Sequence, residues 1–223
     1  MRKARPFIIL FLMLGAPIII VLLLDTGTHH KETIKILSPK YPDPGGGLDS
    51  LYHTVGDFSF TSQTGTQITQ DSLKGHIYVA DVFFTTCPGI CPKLSNSLKE
   101  VQRYLEESED TLVKIVSFSV DPETDSVPAL QDYAEQYGIL PTRWHLLTGN
   151  KEDLYEVAHN DYFFKATEDS SQAIRFVHDE TLRLIDKEGR IRGDYYNGTI
   201  EDEIKQLIDD IKLLKFEYEH AKE

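Results

Sequence analysis

The sequence predicts an α/β sandwich built on a mixed β-sheet. Three observations carry the prediction. Apolar runs of strand length alternate with stretches whose apolar residues recur at helical spacing, the order is strand, helix, strand, helix, and the series closes with a hairpin and a helix. Ile77 to Phe84 reads as the first buried strand. Ile90, Leu94, Leu98, Val101 and Leu105 then repeat at helical spacing, so a helix starts beside Cys87 and Cys91 and runs to about Glu107. Leu112 to Val120 is a second strand rich in Val, Ile and Phe. Ser126 is placed to cap a helix through Tyr137, with Gly138 to end it. Trp144 to Leu147 is a short strand, and Lys151 to about His159 a helix with Asn150 at its cap. Thr181 to Asp186 and Arg190 to Tyr195 flank Lys187-Glu188-Gly189 as a hairpin. Thr199 and Asp202 resemble a capping box, opening a last helix with Ile204, Leu207, Ile208, Ile211 and Leu214 on its apolar face.

The only two cysteines lie four apart in Thr86-Cys87-Pro88-Gly89-Ile90-Cys91-Pro92, at the predicted turn from strand to helix. Such a pair can close as a disulfide, shuttle electrons, or hold a soft metal between two thiolates. At a helix start a thiol meets free backbone N–H groups and the positive end of the helix dipole, which lowers its pKa. Pro88 suits the first helical turn. One turn apart, both sulfurs share a face and can reach each other or one ion.

What thiols do depends on the compartment. Arg2, Lys3 and Arg5 precede an uncharged apolar stretch from Phe7 to Leu24, long enough as a helix to span a bilayer core of about 30 Å. The basic flank predicts that the remainder is sent outward, to a compartment where disulfides persist. A cleaved signal peptide has a shorter apolar core, of about 7–15 residues, and no small-x-small site follows Leu24. No cysteine follows the apolar run either, so a lipid anchor is not supported. Residues 1–24 are therefore expected to be a membrane anchor, and 25–54, with Pro42-Asp43-Pro44-Gly45-Gly46-Gly47, a tether without a core of its own. Residues 55–223 form the working domain. The 223 residues carry a net charge of −13, and the three positive charges before Asp25 belong to the anchor. That acidity argues against nucleic acid or anionic lipid as partners. It suits a metal cation or a basic protein surface, or serves solubility alone.

The succession of the strand, the Cys87–Cys91 motif, Ser119-Val120-Asp121-Pro122-Glu123-Thr124-Asp125, Trp144-His145-Leu146-Leu147-Thr148-Gly149 and His178 resembles the Sco/SenC family. The resemblance spans about Val55 to Leu214. It implies a thioredoxin-like fold, with a mixed central sheet flanked by helices behind an N-terminal transmembrane helix, in the bacterial inner membrane and facing the periplasm. It further implies one copper per domain, delivered to the copper-site subunit of cytochrome c oxidase, with other copper chaperones or thiol reductants as further partners. Carried over residue by residue, the copper ligands fall on Cys87, Cys91 and His178. Two thiolates and an imidazole suit low-coordinate Cu(I) and leave zinc one ligand short. One departure is Gly89, where many relatives carry Asp. Asp179 and Glu180, after His178, read as a solvated acidic loop, or as groups that tune the metal or attract a basic partner.

Asp81, inside the apolar strand and six residues before Cys87, keeps redox chemistry open. Its offset resembles the buried aspartate of thioredoxins, which moves protons during disulfide exchange; a hydrogen-bonded structural Asp is the plainer alternative. Solvated positions are expected for His29, His30, His53 and His220, and packing or surface roles for His145 and His159. Three functions follow from the residues and the resemblance: a copper metallochaperone, an extracytoplasmic thiol–disulfide oxidoreductase, and a copper or redox sensor.

Overall fold

The computed structural model describes residues 33–42, 50–108, 110–165, 167–168, 176–177 and 179–220. Ile34–Glu223 forms one compact unit; of the preceding one, Met1–Thr33, only Thr33 is described. The expected anchor thus lies outside the described residues, among which no helix is long and apolar enough to cross a membrane.

The strands are β1 (Lys40–Pro42), β2 (Ser50–Tyr52), β3 (Ser59–Ser62), β4 (Gln67–Thr69), β5 (Ile77–Phe83), β6 (Val113–Ser119), β7 (Trp144–Thr148), β8 (Thr167–Glu168), β9 (Phe176–Val177), β10 (Thr181–Ile185) and β11 (Ile191–Asn197). The helices are α1 (Gln70–Leu73), α2 (Ile90–Glu107), α3 (Val127–Tyr137), α4 (Lys151–Glu156) and α5 (Glu201–His220). The main sheet runs β11-β10-β5-β6-β7-β3-β4. Its centre, β5, β6 and β7, is parallel, and the strands outside it join antiparallel, so the sheet is mixed as the sequence predicts. All seven residues of β5 are buried, as the middle of a sheet covered on both faces requires. Leu94, Leu98, Val101 and Leu105 bury one face of α2, and Ile204, Leu207, Ile211 and Leu214 one face of α5.

Local chemistry departs from expectation at three helix starts. Pro88 precedes the helix: α2 starts at Ile90 with Gly89 at its cap, and Pro92 is the proline of its first turn. Ser126 sits at the cap of α3 but makes no side-chain capping bond, whereas Gly138 does end that helix in the left-handed region at φ 66°. No capping box opens α5: the helix starts at Glu201, which puts Ile200 and not Thr199 at its cap, and the Thr199 hydroxyl donates to Asn197 Oδ1 at 2.6 Å. Asn150 caps α4 as predicted, accepting from Asp153 N–H at 3.1 Å, and a π turn over Val157–Asp161 extends that helix.

Part of the expected tether is folded onto the domain. Ile36 bridges to Arg192, and Leu37 N–H donates to Ile191 O at 2.8 Å. The Arg192 guanidinium donates to Ile34 O at 2.7 Å and pairs with Asp186 and Glu217. The apolar Ile34 and Ile36 with Lys35 between them are an edge-strand pattern inside a polar stretch.

Candidate metal centre

The site forms where β5, one of the three parallel inner strands, hands over to α2. Its last turn is closed by Cys87 N–H donating to Phe84 O at 3.3 Å. Four residues on, the Cys91 N–H, in the first turn of α2, donates to Cys87 Sγ at 3.4 Å. The sulfur of one cysteine therefore sits over the backbone of the other, at the helix end where N–H groups lack intrahelical partners. Both residues are thiols. Cys91 is wholly buried, while Cys87 keeps 8% of its surface, so Cys87 is the sulfur an incoming ion or thiol meets first. The Cys91 thiol is held above its ordinary range, by its hydrogen bond with the Cys87 thiol and then by burial. The lowering expected from the helix start is overturned at this residue, because a neighbouring thiol and loss of water outweigh the dipole.

Asp81 lies behind this pair. It is buried on β5 and accepts a hydrogen bond from the Ser117 hydroxyl of β6, its register neighbour. Ser117 Oγ in turn accepts from the indole N–H of Trp144 at 2.8 Å. The Asp81 charge contributes to the upward shift of Cys91, so the carboxylate is within electrostatic reach of the inner sulfur. The structure thus brings together Cys87, Cys91 and Asp81. Ser95, one turn beyond Cys91, shares a 2.7 Å hydrogen bond with the Tyr133 hydroxyl.

The Asp-Pro-Glu segment has a role that spacing does not reveal. Asp125 is wholly buried and accepts from Thr85 N–H at 3.1 Å, Thr85 Oγ1 at 2.5 Å and Ser119 Oγ at 2.5 Å. It pins the chain two residues before Cys87. Burial holds its carboxyl above the usual range against the hydrogen bonds it accepts. Tyr155 of α4 buttresses the same loop, donating to Val120 O at 2.8 Å.

His178 lies outside the described residues. Its surroundings in the chain do not: Glu180 O accepts from Gly198 N–H at 2.8 Å. A Cβ on Gly198 would collide with Leu94 Cδ2 and come within 3.4 Å of Glu180 O. Leu94 is three residues beyond Cys91 on the same helix, so the chain just past His178 runs close to the helical turn that carries the inner sulfur. Asp179 is no solvated acid. It pairs with buried Arg183 at 3.2 Å, while Glu180 is exposed.

His53, expected to be solvated, is packed instead, while His220 is exposed as expected, and His29 and His30 lie outside the described residues. His53 Nε2 contacts Asp161 O at 3.1 Å and the ring lies against Phe163. His159 packs edge-on against Tyr155, and His220 stacks on Phe216. His145 is pushed down to about 4 by burial and by Lys114, and stays neutral at physiological pH. Among the described residues no group of three or more His, Cys, Asp or Glu side chains is placed to hold a metal.

A mixed α/β sheet whose inner strand β5 delivers a dithiol to a helix start defines a thioredoxin-like thiol protein. Comparison narrows this: residues 48–214 match the SCO1/SenC family, and the chain belongs to it. It is 33% identical over 167 residues to the SCO1 protein homolog of Bacillus subtilis, covering 74% of this chain and 84% of that one. Among solved structures it resembles BsSco, described as carrying a disulfide switch and as a member of the Sco family of cytochrome c oxidase assembly proteins. The TM-score is 0.63 at 27% identity, over 80% of this chain and 97% of that one. It also resembles Bradyrhizobium japonicum ScoI with copper bound, at TM-score 0.57 and 25% identity, over 69% and 97% of the two chains.

Proposed function

We propose that this chain is a copper metallochaperone that holds one copper through Cys87, Cys91 and His178 and passes it by ligand exchange to the copper-site subunit of cytochrome c oxidase. The observation that carries the reading is the dithiol itself, two soft sulfurs brought together at a helix start, with Cys87 keeping 8% of its surface and Cys91 none. Copper here is cargo. Thiolates must lose their protons to bind it, and the raised Cys91 thiol releases its own only as the cation arrives to replace it. Partial exposure at Cys87 gives a recipient's ligand a place to attack, and a low coordination number leaves room for it. The copper-bound relative and the oxidase-assembly description of BsSco support the same assignment. The apolar run Phe7–Leu24 would keep the domain at the periplasmic face of the inner membrane, where the oxidase presents its copper site.

Copper titration of the full chain in detergent tests the reading. Stoichiometric Cu(I) binding is expected to depend on Cys87, Cys91 and His178 alike, and unchanged binding by His178→Ala would sink the three-ligand site.

One observation favours thiol–disulfide exchange as a second activity: buried Asp81 within reach of the inner thiol. Reduction of the oxidase's copper-ligand cysteines would use Cys87 as nucleophile, with Asp81 taking the Cys91 proton as Cys91 resolves the mixed disulfide. Absence of turnover by the metal-free, reduced chain with any protein disulfide would dismiss it.

A further inference from the structure

The buried arginines of this fold are paired. Arg183 has Asp179, and Arg192 has Asp186 and Glu217. Arg143 is the contrast. It is half-buried in the turn before β7, and its Nη1 is sealed from solvent without a hydrogen-bond partner. His76, half-buried just before β5, has its Nδ1 in the same condition. A sealed, unbonded polar atom costs stability, and a native fold keeps few of them.

The sheet brings these two residues together with two more basic ones. Lys114 of β6 is the register partner of Tyr78, and His145 of β7 is that of Val116. His76 lies two residues before Tyr78, and Arg143 two before His145. Bonds from Ile77 N–H to Leu112 O at 3.1 Å and from Ile115 N–H to Arg143 O at 2.9 Å carry the ladder past the strand ends. Side chains alternate along a strand, so His76, Lys114, Arg143 and His145 share one face, at the starts of three adjacent parallel strands.

Each of the four is half-buried, and among the described residues none forms an ion pair with a carboxylate. Lys114 Nζ donates to Thr142 O at 2.9 Å. Asp110, a carboxylate within electrostatic reach of Lys114, is taken by Lys215. The four instead oppose one another. Burial and then Arg143 hold Lys114 below its ordinary range, and burial, Lys114 and His76 do the same to His145. On a chain of net charge −13, such a patch is a local reversal of sign. Two imidazoles by themselves suit a metal cation, but beside Lys114 and Arg143 they do not. The charge selects an anion.

We infer that His76, Lys114, Arg143 and His145 form a binding site for a small phosphate-type oxyanion. Arg143 and Lys114 supply charge-assisted donors, and the imidazoles complete the shell. The acidic domain around the patch repels an extended anionic surface but admits a single ion. The seven residues of β5 set this site about 20 Å from the dithiol, so it goes beyond the copper reading and does not depend on it.

Calorimetric titration of the full chain in nonionic detergent with inorganic phosphate tests the inference, at fixed ionic strength with chloride as control. Wild type should bind one phosphate saturably. At a tenfold excess over Kd, its Tm should rise by roughly 3–6 °C. Arg143→Gln should weaken binding about 10–100-fold, and Lys114→Gln should act in the same direction. The His145 imidazole, followed by NMR, should titrate at higher pH once phosphate is bound. No binding by wild type, an equal response to chloride, or unchanged affinity in the variants overturns the inference. Binding of glycerophosphoglycerol, the soluble headgroup of an anionic lipid, without binding of inorganic phosphate also overturns it and assigns the patch to a membrane surface. Should Arg143→Gln fail to fold, Lys114→Gln decides by the same measure.

Discussion

Replacing Asp125 with alanine removes the acceptor that holds the chain before Cys87. The carboxylate is wholly buried and takes three hydrogen bonds, two from Thr85 and one from Ser119. The two hydroxyls can turn to other acceptors, but the Thr85 N–H is fixed in the backbone. Leaving such a donor buried and unpaired costs about 1–3 kcal/mol, and the vacated volume adds about 1 kcal/mol. Relief of the buried charge offsets part of this, so the expected loss is about 3 kcal/mol. For a domain of this size it appears as a fall in Tm of roughly 6–12 °C. Asp125→Asn keeps an oxygen for Thr85 but turns an amide toward Ser119 Oγ, which already accepts Asp121 N–H at 3.1 Å; about 1–2 kcal/mol is expected. Calorimetry and urea unfolding measure stability, and chelator competition measures Cu(I) affinity, which should fall in the same order because Thr85 is two residues from Cys87. Asp125→Ala within about 0.5 kcal/mol of wild type, a shift typical of neutral surface changes, would refute the argument.

Other predictions rest on separate features. Burial raises the Asp125 carboxyl above its unfolded value of about 3.9, so its contribution to stability is present below that pH and is lost as pH rises through the folded pKa. The Tm gap between wild type and Asp125→Asn should therefore be widest near pH 4 and narrow toward neutrality; a gap that widens would contradict the sign. Asp81→Asn keeps an acceptor for Ser117 and should leave Cu(I) affinity intact, while slowing disulfide exchange by about a hundredfold if Asp81 carries the proton. Equal exchange rates would make Asp81 purely structural. A Cβ at Gly89 meets nothing within 4 Å, so Gly89→Asp should change stability by no more than about 0.5 kcal/mol in chemical denaturation. Gly198→Ala drives a methyl into buried Leu94 and should cost about 1–3 kcal/mol by the same assay.

Long-range pairing separates what the sequence discloses from what it conceals. β5, β6 and the apolar faces of α2 and α5 are legible because burial writes a period into the chain. Ser126 and Thr199 have capping chemistry, yet Ser126 makes no side-chain capping bond and Thr199 turns to Asn197. The cysteine pair is legible because its four-residue spacing is itself the geometry. Asp125 is not, since its chief partner, Thr85, lies 40 residues away. Arg183 carries the same signal that singles out Asp81, a charge inside an apolar run, but its meaning depends on carbonyls at Tyr162 and Phe163 that only the fold supplies. The Ile34–Ile36 alternation was masked by the prolines and glycines after it.

The hydrogen-bonded row from Trp144 through Ser117 to Asp81 has an optical consequence. Trp144 is the single tryptophan of the chain and is almost wholly buried, so the native emission spectrum comes from one indole in one dry site. Its N–H ends a two-bond path to the carboxylate behind Cys91. Protonation of Asp81, closure of the dithiol or arrival of a quenching metal each changes the field or the decay paths that this indole feels. The molecule therefore carries its own fluorophore at the back of its reactive centre, and events at the sulfurs can be followed in real time without a label.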